Sequence, residues 1–234
     1  MRFARTFTAG FAALAVVTAG CSGSGDATPS DDTVENSAAV ADGGSAATAD
    51  ACPPADGTDT VTQEFAGEPP FCLDPDVQYS AVVTTSSGDI TIDLDQTAAP
   101  LTVNNFVFLA RNNYFDDTIC HRVVQDFVVQ CGDPTGTGSG GPGYRFADEL
   151  PEPGSYEVGS IAMANISQPD TNGSQFFIVT GEHGVALPPA YSLFGQVPAD
   201  DLDVVESMNA LSPTDGSQTP TEEIRILDVE IIES

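Results

Sequence analysis

The chain has 234 residues, with 35 acidic side chains against six arginines, no lysine and a formal charge of −29. A surface that acidic repels phosphate backbones and anionic headgroups, which excludes electrostatic docking on nucleic acid or on a charged bilayer. The apolar share, 41%, supports one domain with a real core.

Residues 1–20 carry Arg2 and Arg5, then an apolar run from Phe11 to Val17, and end on Thr18-Ala19-Gly20. A basic start, a short apolar stretch and small residues describe an export signal too short to span a bilayer. The cysteine that follows resembles a bacterial lipoprotein cleavage box, which implies that Cys21 becomes a diacylated N-terminus. An ordinary signal peptide cut near Ala19 is the competing reading. The expected location is a bacterial cell envelope, outside the cytoplasmic membrane, with the membrane touched through lipid only. Loss of the leader removes two arginines and no acids, so the mature charge is −31. The rest of the 21–51 segment is mostly Ser, Gly, Ala, Thr and Asp with almost no bulky apolar residue, which cannot bury enough surface to offset its ordering entropy. It is expected to be a disordered acidic tether with an end-to-end distance of roughly 30 Å.

If Cys21 takes the lipid, Cys52, Cys72, Cys120 and Cys131 remain, an even number in an oxidising compartment. Pairing Cys52 with Cys72 fastens a proline-rich arm over residues 52–77; Cys120 is expected to pair with Cys131. Metal binding has little support, since only His121 and His183 could supply imidazole and no Cys-x-x-Cys spacing occurs.

The domain proper, residues 78–234, opens with strands predicted at Gln78–Thr85 and Ile90–Asp95. In the second, Ile90, Ile92 and Leu94 alternate with polar residues. Pro100 starts a helix whose Val103, Phe106, Val107 and Ala110 form one stripe. Ile119–Val124 and Phe127–Cys131 read as a strand pair, followed by a glycine loop from Asp133 to Gly143. The loop contains Gly-x-Gly-x-x-Gly at 136, 138 and 141, but Pro142 and Gly143 forbid the helix that a phosphate site needs. Short strands are predicted at Ser160–Ala164, Gln175–Val179 and Ser192–Gln196, a second helix around Leu202, Val205 and Met208, and a closing strand at Ile224–Ile232. Many short strands with two helices point to a closed antiparallel barrel, because closure removes exposed edges.

Residues 121–133, His-Arg-Val-Val-Gln-Asp-Phe-Val-Val-Gln-Cys-Gly-Asp, set Arg122 eight positions before Gln130 with Phe127 between. With so few cations in the chain, one inside a valine run is either a buried ion pair or a working group. Together with Met163-Ala164-Asn165 and Gly173-Ser174-Gln175-Phe176-Phe177, the segment resembles the cyclophilin family of peptidyl-prolyl isomerases across residues 78–232. The resemblance implies a mainly β fold, an eight-stranded antiparallel barrel capped by two α-helices, acting on proline-containing exported polypeptides, with a monomer expected.

Prolyl isomerisation breaks no covalent bond and needs no nucleophile, metal or cofactor. Its barrier of roughly 18–20 kcal/mol is the loss of amide resonance on twisting, so the catalyst must bind the twisted amide better than either planar form. A guanidinium aimed at the proline nitrogen does this. The family pattern gives that part to Arg122, oriented by Gln130. It assigns the apolar proline slot to Phe127, Val128, Phe177 and Leu187, with Tyr191 at its rim, and the grip on the substrate backbone to Ala164, Asn165 and Gln175. His121 is expected to be a packed histidine. The sequence departs from the pattern in having no tryptophan, in Tyr191 where a histidine is common, and in Gln125 where a proline is common, which is expected to loosen the hairpin. The alternative function is a proline-peptide binding module or holdase with little turnover.

The hairpin sets two demands on register. A two-residue loop at Gln125-Asp126 puts Cys120 opposite Cys131 but turns Gln130 away from Arg122; a three-residue loop including Phe127 puts Arg122 opposite Gln130 and offsets the cysteines. Meeting both is expected to need a bulge with one inserted residue.

Overall fold

The computed structural model describes residues 47–49 and 51–234. Cys21, the leader and most of the tether lie outside the described residues. Within the segment expected to be a tether, Ala47 bridges Phe65 and Ala49 is buried.

Eight strands form one antiparallel sheet: β1 (Tyr79–Thr85), β2 (Gly88–Leu94), β3 (Arg122–Val124), β4 (Val128–Cys131), β5 (Ser160–Met163), β6 (Phe176–Val179), β7 (Leu193–Gln196) and β8 (Ile226–Glu233). Helices α1 (Pro100–Arg111) and α3 (Leu202–Asn209) are the two expected, and a short α2 (Glu182–Val185) was not foreseen. The strand order is β3-β4-β6-β5-β7-β2-β1-β8.

The sheet curls but its ladder does not close, which corrects the closed barrel. Ile119, ahead of β3, makes one isolated bridge to Arg225, ahead of β8. The outer edge of β3 is taken instead by the loop after α3, where the Val123 N–H donates to the Gln218 carbonyl at 2.8 Å. A three-residue strand has too few free backbone groups for both that loop and a strand partner.

The core lies between the sheet and α1. Phe106 packs on Phe115, Phe176 and Phe194 with ring centroids 5.1–5.7 Å apart. Every residue of α1 from Thr102 to Arg111 is buried, which one apolar stripe does not explain. The arm covers the other side of the helix: Phe65, 3% exposed, meets Phe108 edge-on at 5.1 Å. Cys52–Cys72 closes the arm, and Asn104 of α1 bonds it through the Cys72 N–H and the Pro70 carbonyl.

Cys120–Cys131 is also formed, alongside an Arg122–Gln130 pairing. The expected inserted residue is absent, because Ile119 pairs with Asp133 and the two strands run equal lengths between those pairs. The pleat is broken instead. Gly132 takes φ +84°, and Cys120 turns its N–H to the Ile224 carbonyl at 2.8 Å. A left-handed residue redirects the strand so that diagonal cysteines converge.

Candidate active site

Side chains alternate across a strand, so residues paired in register share a face. One row across the outer face of the sheet reads Arg122, Gln130, Phe177, Ala162 and Leu193 through successive pairings. Phe176 belongs to the interior core and Phe177 to a second, outer cluster, as the alternation expected of that pair requires.

That outer cluster is Val128, Tyr156, Ala162, Phe177 and Val179, with Phe127, Ala164, Leu187 and Tyr191 packed against it. Every apolar residue named from the sequence for the slot is therefore brought to one patch. Tyr191 stands edge-on to Phe177 at 5.3 Å and is fixed from below by Tyr156, whose hydroxyl donates to the Tyr191 carbonyl and accepts its N–H. Tyr156 had no signal in the sequence, since its role depends on a contact 35 residues away.

Arg122 is half-buried above this patch, and burial lowers its pKa from the ordinary arginine value. Its Nη1 donates to Gln130 Oε1 at 3.3 Å, its Nε to Gln218 Oε1 at 2.6 Å, and its guanidinium carbon lies 5.6 Å from the Phe127 ring centre. No carboxylate among the described residues lies within ion-pair distance of it, whereas Arg111 and Arg225 pair with Glu233 and Glu223. Neutral amides orient this cation without neutralising it, which removes the buried ion pair as an account of Arg122. Gln218 sits in an exposed loop 96 residues on, and nothing in its local sequence marks it.

The orienting bonds continue. Gln130 Nε2 donates to Gln175 Oε1 at 2.8 Å, and Gln175 Nε2 to the Gly140 carbonyl at 2.9 Å. Gly140 belongs to the glycine loop, which Asp133 organises: its carboxylate, fully buried, accepts from the N–H groups of Thr135, Thr137, Gly138 and Gly140. Burial opposes that charge, but bonds from Thr135, Gly138 and Gly140 outweigh it and hold the carboxyl below its ordinary range. Ala164 is tied to Gln175 by an N–H to carbonyl bond of 2.9 Å, and the Asn165 side chain to the Ala190 carbonyl at 2.8 Å. The backbone N–H and carbonyl of Asn165 take no partner among the described residues, so an extended peptide could pair there. Beyond Gln130 and Gln175 a groove of about 600 Å³ opens between the glycine loop and residues 164–175.

The hairpin expected to be loose is pinned. Asp126, at φ +56°, donates its N–H to Asn209 Oδ1, accepts the Glu182 N–H at Oδ1 and the His183 N–H at its carbonyl, while the Phe127 carbonyl accepts from the Thr180 N–H. These bonds replace the stiffness a proline at 125 would supply. His121 is half-buried with Nδ1 unpartnered, and burial lowers its pKa. It packs near Gly138 rather than facing the slot.

The profile of the family described as cyclophilin type peptidyl-prolyl cis-trans isomerase/CLD matches residues 80–231. The chain belongs to the cyclophilin family. Among cyclophilin relatives it is 41% identical over 169 residues to peptidyl-prolyl cis-trans isomerase A of Mycobacterium tuberculosis, covering 65% of this chain and 91% of that one. It is 39% identical over 169 residues to probable peptidyl-prolyl cis-trans isomerase B of the same organism. That match spans 65% of this chain and 54% of the relative, about half its length. A crystal structure of a Cryptosporidium parvum cyclophilin type isomerase superposes with a TM-score of 0.60 at 34% identity, covering 68% of this chain and 99% of that one. The same protein in the presence of the dipeptide Ala-Pro is 35% identical, with a TM-score of 0.60 and coverage of 66% and 99%.

Proposed function

We propose that this cyclophilin is a peptidyl-prolyl cis-trans isomerase of exported proteins, with Arg122 stabilising the twisted X-Pro amide. The observation that carries the reading is a half-buried guanidinium with no carboxylate partner, held by two glutamine oxygens beside an apolar slot. As the C–N bond twists, the proline nitrogen regains a lone pair and becomes an acceptor. An arginine whose charge is not quenched binds that state better than the planar amide. The slot of Phe127, Val128, Phe177 and Leu187 takes the ring, with Tyr191 at its edge, and Asn165 pairs with the backbone beside it.

The leader and Cys21 support an exported, lipid-anchored protein of a bacterial envelope, with the acidic segment as its tether and proline-containing exported polypeptides as substrates. Radiolabelled fatty acid incorporated into the wild-type chain and lost with Cys21→Ala tests the anchor.

The activity is tested by the purified protein acting on a short X-Pro peptide, whose uncatalysed exchange takes tens to hundreds of seconds. Acceleration abolished by Arg122→Ala with the fold intact is the expected result. A folded protein that binds the peptide without accelerating exchange is instead a binding module.

A further inference from the structure

The arm over residues 52–77 covers more than the helix. The Phe65 N–H donates to the Pro142 carbonyl at 2.8 Å, and the Phe65 ring meets Tyr144 edge-on at 6.4 Å. Gly143 lies so close that a Cβ placed on it would come 2.5 Å from the Phe65 carbonyl oxygen. Pro142, Gly143 and Tyr144 form one wall of the groove beside Gln130 and Gln175. The same loop carries Gly140, but Asp133 holds that residue through its N–H, so the bonded series Gly140, Gln175, Gln130 and Arg122 does not depend on the arm.

The arm is fixed at both ends. Besides the disulfide and the Asn104 bonds, Thr58 and Thr62 donate their N–H groups to the carbonyls of Arg111 and Asn112, and Gln63 donates to the Tyr114 carbonyl. Phe65 is thus a ring on a rigid support, inserted between α1 and the groove loop. The glycines of this loop bring no side chains to hold the wall, which rests on Phe65 and on the Tyr144 hydroxyl, donating to Asn105 Oδ1 of α1 at 2.6 Å.

We infer that Phe65 is a positioning residue for the substrate groove, making the Cys52–Cys72 arm part of the specificity apparatus for peptides that reach beyond the proline slot. This rests on the isomerase reading above. A peptide confined to the slot touches Phe127, Phe177 and Leu187 and does not sense the wall. A peptide extended by several residues lies along residues 140–144, and its binding depends on where Phe65 holds them.

The test compares a short X-Pro tetrapeptide with a peptide extended by four residues on the N-terminal side, using the full chain. For Phe65→Ala the expected result is a rise in KM of about fivefold to tenfold for the extended peptide at unchanged kcat, with the short peptide within about twofold. Phe65→Leu should recover most of the loss by refilling the space. An equal fall on both peptides, or no change on either, overturns the inference. If Phe65→Ala shows no cooperative melt, Gly143→Ala, which pushes the wall off the arm, is judged on the same two peptides. If the unaltered protein turns over neither peptide, the isomerase reading fails. The positioning inference is then decided by titration, standing if Phe65→Ala weakens the extended peptide alone and falling if it does not.

Discussion

Arg122 lies directly across a hairpin from Gln130, yet its shorter bond runs to Gln218, 96 residues later in the chain. Two neutral oxygens, one at Nη1 and one at Nε, hold the guanidinium and leave its charge available. We expect Arg122→Ala to lower kcat/KM by roughly 30- to 1,000-fold, the equivalent of about 2–4 kcal/mol of transition-state binding. The melting temperature should hardly move, since no ion pair is lost. A fully active variant sinks the assignment of the arginine.

Gln218→Ala should show a smaller loss, about threefold to tenfold in kcat/KM. One charge-assisted bond disappears while Gln130 and Phe127 still hold the guanidinium. Peptide exchange measured by NMR would resolve the two variants, and an effect of Gln218→Ala equal to that of Arg122→Ala would make Gln218 more than a support.

Asp116 is raised from 3.8 to about 6 by burial and by the charges of Asp228 and Asp117. A carboxyl with a folded pKa above its unfolded one takes up its proton on folding, so stability falls as pH rises from about 4 to about 6. Asp116→Asn should therefore melt higher than the wild type at pH 7.5, with the difference gone by pH 4. Asp133 acts in the opposite sense: its depressed pKa contributes stability above the ordinary carboxylate range and loses it as pH falls further. Melting curves of both proteins across that range check the crossover, and a constant difference at all pH values contradicts it.

With 35 acids against four arginines in the mature chain, self-repulsion opposes the compact state. Sodium chloride raised from about 0.01 to 0.15 M shortens the Debye length from about 30 to about 8 Å. The melting temperature should rise across that interval; one that stays flat or drops shows that repulsion is not limiting.

Peptide mapping without reduction should recover Cys52 joined to Cys72 and Cys120 joined to Cys131. Closing a loop of about twenty residues stabilises by on the order of 3 kcal/mol, so Cys52→Ser with Cys72→Ser should lower the melting temperature clearly. Free thiols or cross-pairing between arm and hairpin would refute the pairing.

Local pattern was enough to read the eight strands and the two main helices. Alternation and helical spacing are short-range properties, and Ile90-Ile92-Leu94 or Phe176-Phe177 display them within a few positions. The arginine, the glutamines and the phenylalanines came from motifs in family order, and the sheet register then set Arg122, Gln130 and Phe177 in one row. What only the tertiary structure decided depends on contacts between distant segments: Gln218 against Arg122, Tyr156 beneath Tyr191, and Phe65 behind the groove loop. The open ladder was decided the same way, because the loop carrying Gln218 occupies the edge of β3 where a partner strand would sit. So was the hairpin, where Gly132 breaks the pleat and lets the disulfide coexist with the Arg122 pairing without an extra residue. A residue's own neighbours in sequence set which way it faces; what it meets there depends on segments brought up from elsewhere in the fold.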